Sequence, residues 1–283
     1  MKPASSRPGR SGVVTGAGAG LGREIALGLA SRGYIVFGTA ASWEEAQELK
    51  EASAGRVSLM VCDSTKAVAI EAWACGVADA LGPAGLDLLI STSRHHARGP
   101  VEALPHDAVR HVFEMNVFGA LAVINAYLPA LRCARGRIVQ ISDWTGRVPL
   151  AFDGPSGASG AAIEAFSATY RTELKPFGID VTLVRLGALK NDEGISPDSA
   201  ALPRQYRKLY GKAFGNVSGR LEGMQAAGMD MAIAAARIID IAEGDAPASR
   251  VAVGADAERM MLAAREMTEA ELESYLLEII GLS

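Results

Sequence analysis

Residues Thr15-Gly16-Ala17-Gly18-Ala19-Gly20-Leu21-Gly22 follow the short apolar run Gly12-Val13-Val14 and lead into a helix-like stretch from Leu21 to Ser31. Glycines at 16, 20 and 22 suit a turn that reverses sharply and lets another group approach the backbone with no Cβ in the way. A helix that starts there presents unpaired N–H groups and the positive end of its dipole to an anion. Strand, glycine turn and helix in that order make a cradle for the pyrophosphate of a dinucleotide. Thr15, Gly16, Gly20, Leu21 and Gly22 are therefore candidate cofactor contacts. The spacing is Gly-x-x-x-Gly-x-Gly rather than the more general Gly-x-Gly-x-x-Gly.

Other residues have the right chemistry in looser patterns. Arg94, His95, His96 and Arg98 form a basic tip, read either as a solvated loop or as a site for an anionic group. Adjacent histidines lack the helical or alternate-strand spacing of chelators, so no metal site is expected. Asp143, beside Trp144, is a candidate general base, although pairing with Arg94 or Arg147 is the favoured reading. The run Arg204, Tyr206, Arg207, Lys208, Tyr210, Lys212, Phe214 reads as the face of a lid helix. It leaves open a small substrate or one carried on coenzyme A.

The elements that must position these residues alternate between strand-like and helix-like. Strands are expected at Tyr34–Thr39, Val57–Val61, Leu86–Ile90, Arg137–Ile141, Ile179–Val184 and Val251–Val253. Helices are expected over Glu44–Ala54, Lys66–Leu81, Ser156–Lys175 and Asp230–Glu243. A long one runs from Pro105 to Leu131, interrupted near Asn116 and Pro129. Residues 191–223 look polar and irregular with helical stretches, as in a lid, and the lid-like segment extends to 228. Thr268 and Glu271 open a terminal helix through a capping box. Such alternation implies a parallel sheet covered on both faces. A tail over 1–11 and a single domain over 12–283 are expected.

The chain has 283 residues, 49% of them hydrophobic and 21% charged, with a formal charge of −4. That balance supplies a core for one large α/β domain and argues against a nucleic-acid surface. Cys62, Cys75 and Cys133 show no CxxC spacing, as expected in a reducing cytoplasm. Arg7 and Arg10 precede no apolar h-region, so the start reads as a tail rather than a signal peptide. No apolar run approaches the roughly 18 residues that span a bilayer, so no membrane partner is expected.

The order of these pieces resembles the short-chain dehydrogenase/reductase family over most of the chain. The resemblance rests on Thr15-Gly16-x-x-x-Gly20-x-Gly22, Asp63 after the third strand, Gly99-Pro100, Asn116-Val117-x-Gly119 and Leu128-Pro129-x-Leu131. It continues in Gly136-Arg137-Ile138-Val139-x-Ile141-Ser142 and in Arg250-Val251-Ala252-Val253-Gly254-x-Asp256-Ala257. It implies a doubly wound, seven-stranded Rossmann-like sheet that binds NAD or NADP. It adds Asp63, Ser64 and Ser91 to the cofactor contacts.

The resemblance also implies an Asn-Ser-Tyr-Lys set, in which a tyrosinate acts as acid or base beside a lysine that lowers its pKa. Asn116 stands at the asparagine position. Aligned without a gap, Asp143 stands at the serine position, Ser156 at the tyrosine and Gly160 at the lysine. Asn-Asn-Ala-Gly after the fourth strand reads Ser91-Thr92-Ser93-Arg94, and Pro-Gly after the sixth reads Leu186-Gly187. Ala40, Ala41 and Ser42, at the end of the second strand, offer neither the Asp that would select NAD nor the Arg that would select NADP.

Cofactor binding is accordingly expected to be weak or absent, and the basic tip acquires a third reading as a plug of the nicotinamide pocket. Vestigial catalytic positions remain at Asn116, Asp143 and Ser156, with His95 as a further acid or base. The favoured expectation is a catalytically inactive accessory subunit. It would assemble with itself or with an intact homologue through the helices Pro105–Leu131 and Ser156–Lys175. The alternatives are a non-redox enzyme (cyclase, lyase or aldol-type) in the old cleft, and an atypical NAD(P)-dependent oxidoreductase.

Overall fold

The structure, a computed structural model, describes residues 9–62, 66–92, 94–192 and 202–282. Seven strands lie parallel in the order β3-β2-β1-β4-β5-β6-β7. They are β1 (Ser11–Val14), β2 (Ile35–Ala40), β3 (Val57–Val61), β4 (Leu88–Ser91), β5 (Arg137–Asp143), β6 (Asp180–Leu186) and β7 (Arg250–Val253). β1 and β4 are buried along their whole length, as expected of central strands covered on both faces. The strand order reverses between β1 and β4, and in open α/β sheets the crevice at that switch point takes the ligand.

Helices α1 (Gly20–Ser31), α2 (Trp43–Ala52) and α3 (Ala67–Leu81) alternate with the first strands. α4 (His106–Phe113), a π-helical turn over Glu114–Gly119 and α5 (Ala120–Ala134) make one rod. α6 (Gly154–Leu174), α7 (Arg204–Ala226), α8 (Met231–Glu243), α9 (Ala255–Glu266) and α10 (Glu269–Ile280) complete the chain. On one face of the sheet Leu21, Ile25 and Leu29 of α1 pack with Ile238 and Ile239 of α8. On the other, Trp73 and Val77 of α3 meet Tyr127 and Leu131 of α5. The capping box expected at Thr268 is present.

Several expectations need correction. β1 begins at Ser11 rather than at Gly12, and β5 runs two residues further, to Asp143. The helical stretches expected within 191–223 form a single helix, α7, of 23 residues. Gly211, Gly215, Gly219 and Gly223 weaken its local helix signal at about 1 kcal/mol each. Burial of Phe214, Val217 and Leu221 holds the helix in place. α9 was not anticipated from sequence. Residues 193–201 of the expected lid lie outside the described residues.

The rod His106–Ala134 is long and apolar enough to cross a membrane by length and composition alone, contrary to the expectation that no run comes close. Its apolar content has a core role: Val112, Val123, Ile124 and Leu131 are buried inside the fold.

Candidate functional site

The glycine turn is built as its residue types require. Gly16 and Gly20 have φ of +60° and +53°, in the left-handed region that side chains disfavour. A Cβ on Gly22 would stand 2.1 Å from the Gly16 carbonyl oxygen, so the third glycine lets α1 rest on the turn. The Gly16 N–H donates to Thr39 Oγ1 at 2.9 Å, and the Gly18 N–H to the Thr39 carbonyl at 3.2 Å. Thr15 ties the turn to the neighbouring loop, accepting the Thr92 N–H on its hydroxyl at 2.9 Å. No side chain caps the start of α1 at Ala19, so its first N–H groups remain available to an anion. This turn lines a groove of about 1050 Å³. The residues present therefore fit the pyrophosphate and adenosine half of a dinucleotide.

Two cofactor expectations, Asp63 and Ser64, lie outside the described residues. A third changes place: Ser91 is fully buried, with its hydroxyl making no hydrogen bond. Its neighbour Thr92 lines the groove instead. A strand alternates its faces, so a shift of one residue moves a side chain from the core to the cleft.

Arg94 lines the groove, together with Met115, Lys190 and Asp192. Its Nη1 donates to Asp143 Oδ1 at 2.6 Å, and its Nη2 to Asp192 Oδ2 at 2.5 Å. The loop after β4, the end of β5 and the loop after β6 are thereby joined by one guanidinium whose side chain is only 10% exposed. Burial opposes its charge, but Asp143 and Asp192 outweigh burial and raise the Arg94 pKa above that of a free arginine. Burial likewise works against the Asp143 carboxylate, yet the charges of Arg94 and His96 hold its pKa below the ordinary aspartate value. Of the two pairings considered for Asp143, the one with Arg94 forms, while Arg147 is exposed.

The basic tip is not solvated along its length. The His96 and Arg98 side chains are 6% and 9% exposed. His96 Nε2 lies 3.4 Å from Asp143 and its Nδ1 3.5 Å from Asp153, whose carboxylate also faces Arg98 Nε at 3.8 Å. These groups close the polar end of a second chamber, of about 50 Å³. Its apolar walls are Trp144, Leu150, Leu186, Leu221 and Met224. The His96 ring nitrogens, Thr145 Oγ1 and Asp153 Oδ1 are buried there and make no hydrogen bond among the described residues. Asp256, at the start of α9, fastens the same region by accepting the Ala188 N–H at 2.9 Å and Trp144 Nε1–H at 3.3 Å.

His95, expected as an acid or base, takes a different position. Its ring packs edge-on against His111, with centroids 4.7 Å apart, and lines neither the groove nor the chamber. Burial, then the charges of His111 and His96, lower its pKa. Its inward neighbour His96 faces the carboxylates instead.

Asn116 is occupied by the backbone of His95, accepting its N–H at 2.7 Å and donating to its carbonyl at 2.8 Å. It also donates to Ser159 Oγ at 3.0 Å. The π-helical turn around Asn116 makes this reach possible, a feature common at functional positions. Ser156 is buried with its hydroxyl unbonded and lines neither cavity. Of the expected catalytic residues, only Asp143 borders the chamber. At Gly160 the backbone of α6 lies against the turn after β5, where a Cβ would meet the Gly146 Cα at 3.0 Å. Among the described residues, no group of three or more His, Cys, Asp and Glu side chains is placed to hold a metal ion.

The sequence assigns no site role to Asp153, Asp192 or Asp256 and does not foretell the turn of His96 into the protein. Buried charges must be paired, so the density of Arg and His in residues 94–98 was the available signal. Their partners lie far away in sequence.

Comparison with known proteins agrees with this architecture. The family model described as short chain dehydrogenase matches residues 11–196. The chain is 31% identical over 224 residues to an uncharacterized oxidoreductase of Bacillus subtilis, covering 73% of this chain and 79% of that one. It is 25% identical over 250 residues to the NADPH-dependent 3-dehydrocapnine reductase of Ornithobacterium rhinotracheale, covering 86% and 88%. A solved short-chain dehydrogenase from Streptomyces avermitilis superposes with a TM-score of 0.79 at 26% identity over 97% of both chains. One from Burkholderia cenocepacia, in complex with NADP, shares the fold with a TM-score of 0.75 at 24% identity over 95% and 98%.

Proposed function

This chain belongs to the short-chain dehydrogenase family, and from that premise we propose that it carries out no NAD(P)-linked redox chemistry of its own. On this reading it keeps the adenosine-diphosphate half of the family's nucleotide site and serves as an accessory subunit of an active homologue in a reducing cytoplasm. The observation that carries the reading is Arg94, bridging Asp143 and Asp192 at the end of the groove. A nicotinamide bound beyond the pyrophosphate would have to displace that ion cluster. Its desolvated charges would then lose their partners, which is costly. Hydride transfer is the chemistry NAD(P) supplies when fully bound, and it also needs an acid near the substrate oxygen. Ser156 is a far weaker acid than a tuned phenol, and Gly160 has no ammonium to offer.

The accessory role draws support from the outer face of the molecule. Phe118 is 55% exposed and Phe166 41%, while Ala161, Ala165 and Thr169 also face outward from α6. Small residues around a large apolar one suit close packing of a second subunit, either this chain or an intact homologue.

A non-redox enzyme is the second reading, favoured by the chamber whose His96, Thr145 and Asp153 atoms are buried without hydrogen bonds. A buried polar group without a hydrogen bond calls for an explanation, and a catalytic role is one that fits a cavity lined by an imidazole and a carboxylate.

The test is purification from the native host, with identification of co-purifying protein, together with assays of NADH and NADPH oxidation over a panel of aldehydes and ketones. An intact homologue in the preparation and no turnover by the isolated chain are expected. Robust turnover by the isolated chain that Ser156→Ala abolishes would overturn the proposal.

A further inference from the structure

The adenosine end of the groove holds a carboxylate that the end of β2 does not supply. Ser42 caps α2 by accepting the Glu45 N–H at 3.2 Å, and the Glu45 side chain turns back over the loop from this first turn. Its Oε2 accepts the Ala41 N–H at 2.9 Å. The same oxygen lies where a Cβ on Gly18 would be only 2.1 Å away, so the carboxylate rests directly on the glycine turn. Glu48, one helical turn further on, lines the same groove. Arg23 is the nearby cation, and it is committed to Glu48 at 2.8 Å and Glu24 at 3.3 Å.

We propose that Glu45 reads the adenosine ribose, so that the groove accepts nucleotides with a free 2′-hydroxyl and rejects those with a 2′-phosphate. This rests on the reading of the groove as an adenosine-diphosphate site. In dinucleotide folds the ribose is met about 20 residues beyond the glycines, which is where α2 begins. The backbone N–H of Ala41 fixes one carboxylate oxygen, and the other makes no hydrogen bond among the described residues. That second oxygen accepts the ribose O–H. A 2′-phosphate would instead face Glu45 and Glu48 together, with Arg23 already neutralised. Like charges set against each other reject a ligand more effectively than a missing contact does.

Calorimetric titration of the full chain with ADP-ribose and with its 2′-phosphorylated form tests this. ADP-ribose is expected to bind at least about tenfold tighter, with Glu45→Gln narrowing the gap to about threefold or less and Glu45→Arg reversing it. Glu45 lies at the surface end of α2, and circular dichroism of each variant confirms that it folds. Equal affinities in the wild type, or a gap that Glu45→Gln leaves unchanged, would overturn the assignment while leaving the groove reading intact. Binding of neither nucleotide would remove the groove reading, and this assignment with it.

Discussion

Arg94 Nη1 and Asp143 Oδ1 meet at 2.6 Å, the first from the loop after β4 and the second from the end of β5. A buried ion pair adds little net stability compared with an apolar filling, but losing one partner strands the other in low dielectric. Here one cation serves two carboxylates, Asp143 and Asp192. Arg94→Ala should therefore lower unfolding stability by about 3 kcal/mol near neutral pH, read from urea denaturation. A loss below about 0.5 kcal/mol would mean that the cluster is solvated in solution.

The same pair sets a pH dependence. The Asp143 pKa is depressed in the folded state, so between that value and the ordinary aspartate value of 3.8 the unfolded chain binds more protons. The contribution of Asp143 is thus fully present above the ordinary value and is lost as pH falls through the folded one. In Arg94→Ala the stranded carboxylates can take protons instead. The stability gap between wild type and variant should shrink below about pH 4, as measured by denaturation across pH. A gap that widens on acidification would contradict this sign.

Gly146 and Gly160 make a backbone-to-backbone contact with unequal tolerance. A Cβ on Gly146 would stand 2.7 Å from the Gly160 carbonyl carbon, while a Cβ on Gly160 finds its nearest neighbour at 3.0 Å. Gly146→Ala is expected to cost about 1–3 kcal/mol through overpacking, and Gly160→Ala clearly less. Thermal melts that rank the two variants in the opposite order would show that α6 sits differently on this turn.

The chamber of about 50 Å³ should hold water. Its unbonded polar atoms on His96, Thr145 and Asp153 provide partners, and the volume suits about two or three molecules. A high-resolution crystal structure is expected to show ordered density there bonded to these atoms. An empty, dry chamber would remove the main support for chemistry at that point.

Assembly can be probed on α6. Ala165 and Phe166 are both exposed on its outer face. Ala165→Arg should split a dimer or tetramer in sedimentation, because a charge buried unpaired in an interface costs several kcal/mol. A wild-type chain that sediments as a monomer at micromolar concentration and captures no homologue would sink the accessory-subunit role.

Local rules made much of this molecule legible. The glycine turn, the strand sequence and the Thr268 cap each depend on neighbours within a few residues, and each forms where the pattern places it. Only the first half of α7 was legible, as the face of a lid helix, because four glycines lower the propensity of its length while its stability comes from tertiary burial of Phe214 and Leu221. The site was legible only in part. Arg94 announced itself as a cation at a glycine position, but Asp192 becomes its neighbour, and Asp153 that of His96 and Arg98, only through the sheet topology. His95 and His96 could not be told apart because Asn116, some twenty residues away, fixes which ring turns inward. Glu45 was passed over because a helix cap, rather than a strand end, aims it at the groove.

The central claim is that the groove ends at Arg94, and comparing NADH, NAD and ADP-ribose by titration calorimetry on the purified wild-type chain tests it most directly. Contacts limited to the glycine turn and the adenosine end should make the three affinities agree within about threefold. NADH binding more than about thirtyfold tighter than ADP-ribose would show the nicotinamide seated and contributing, and would contradict the account.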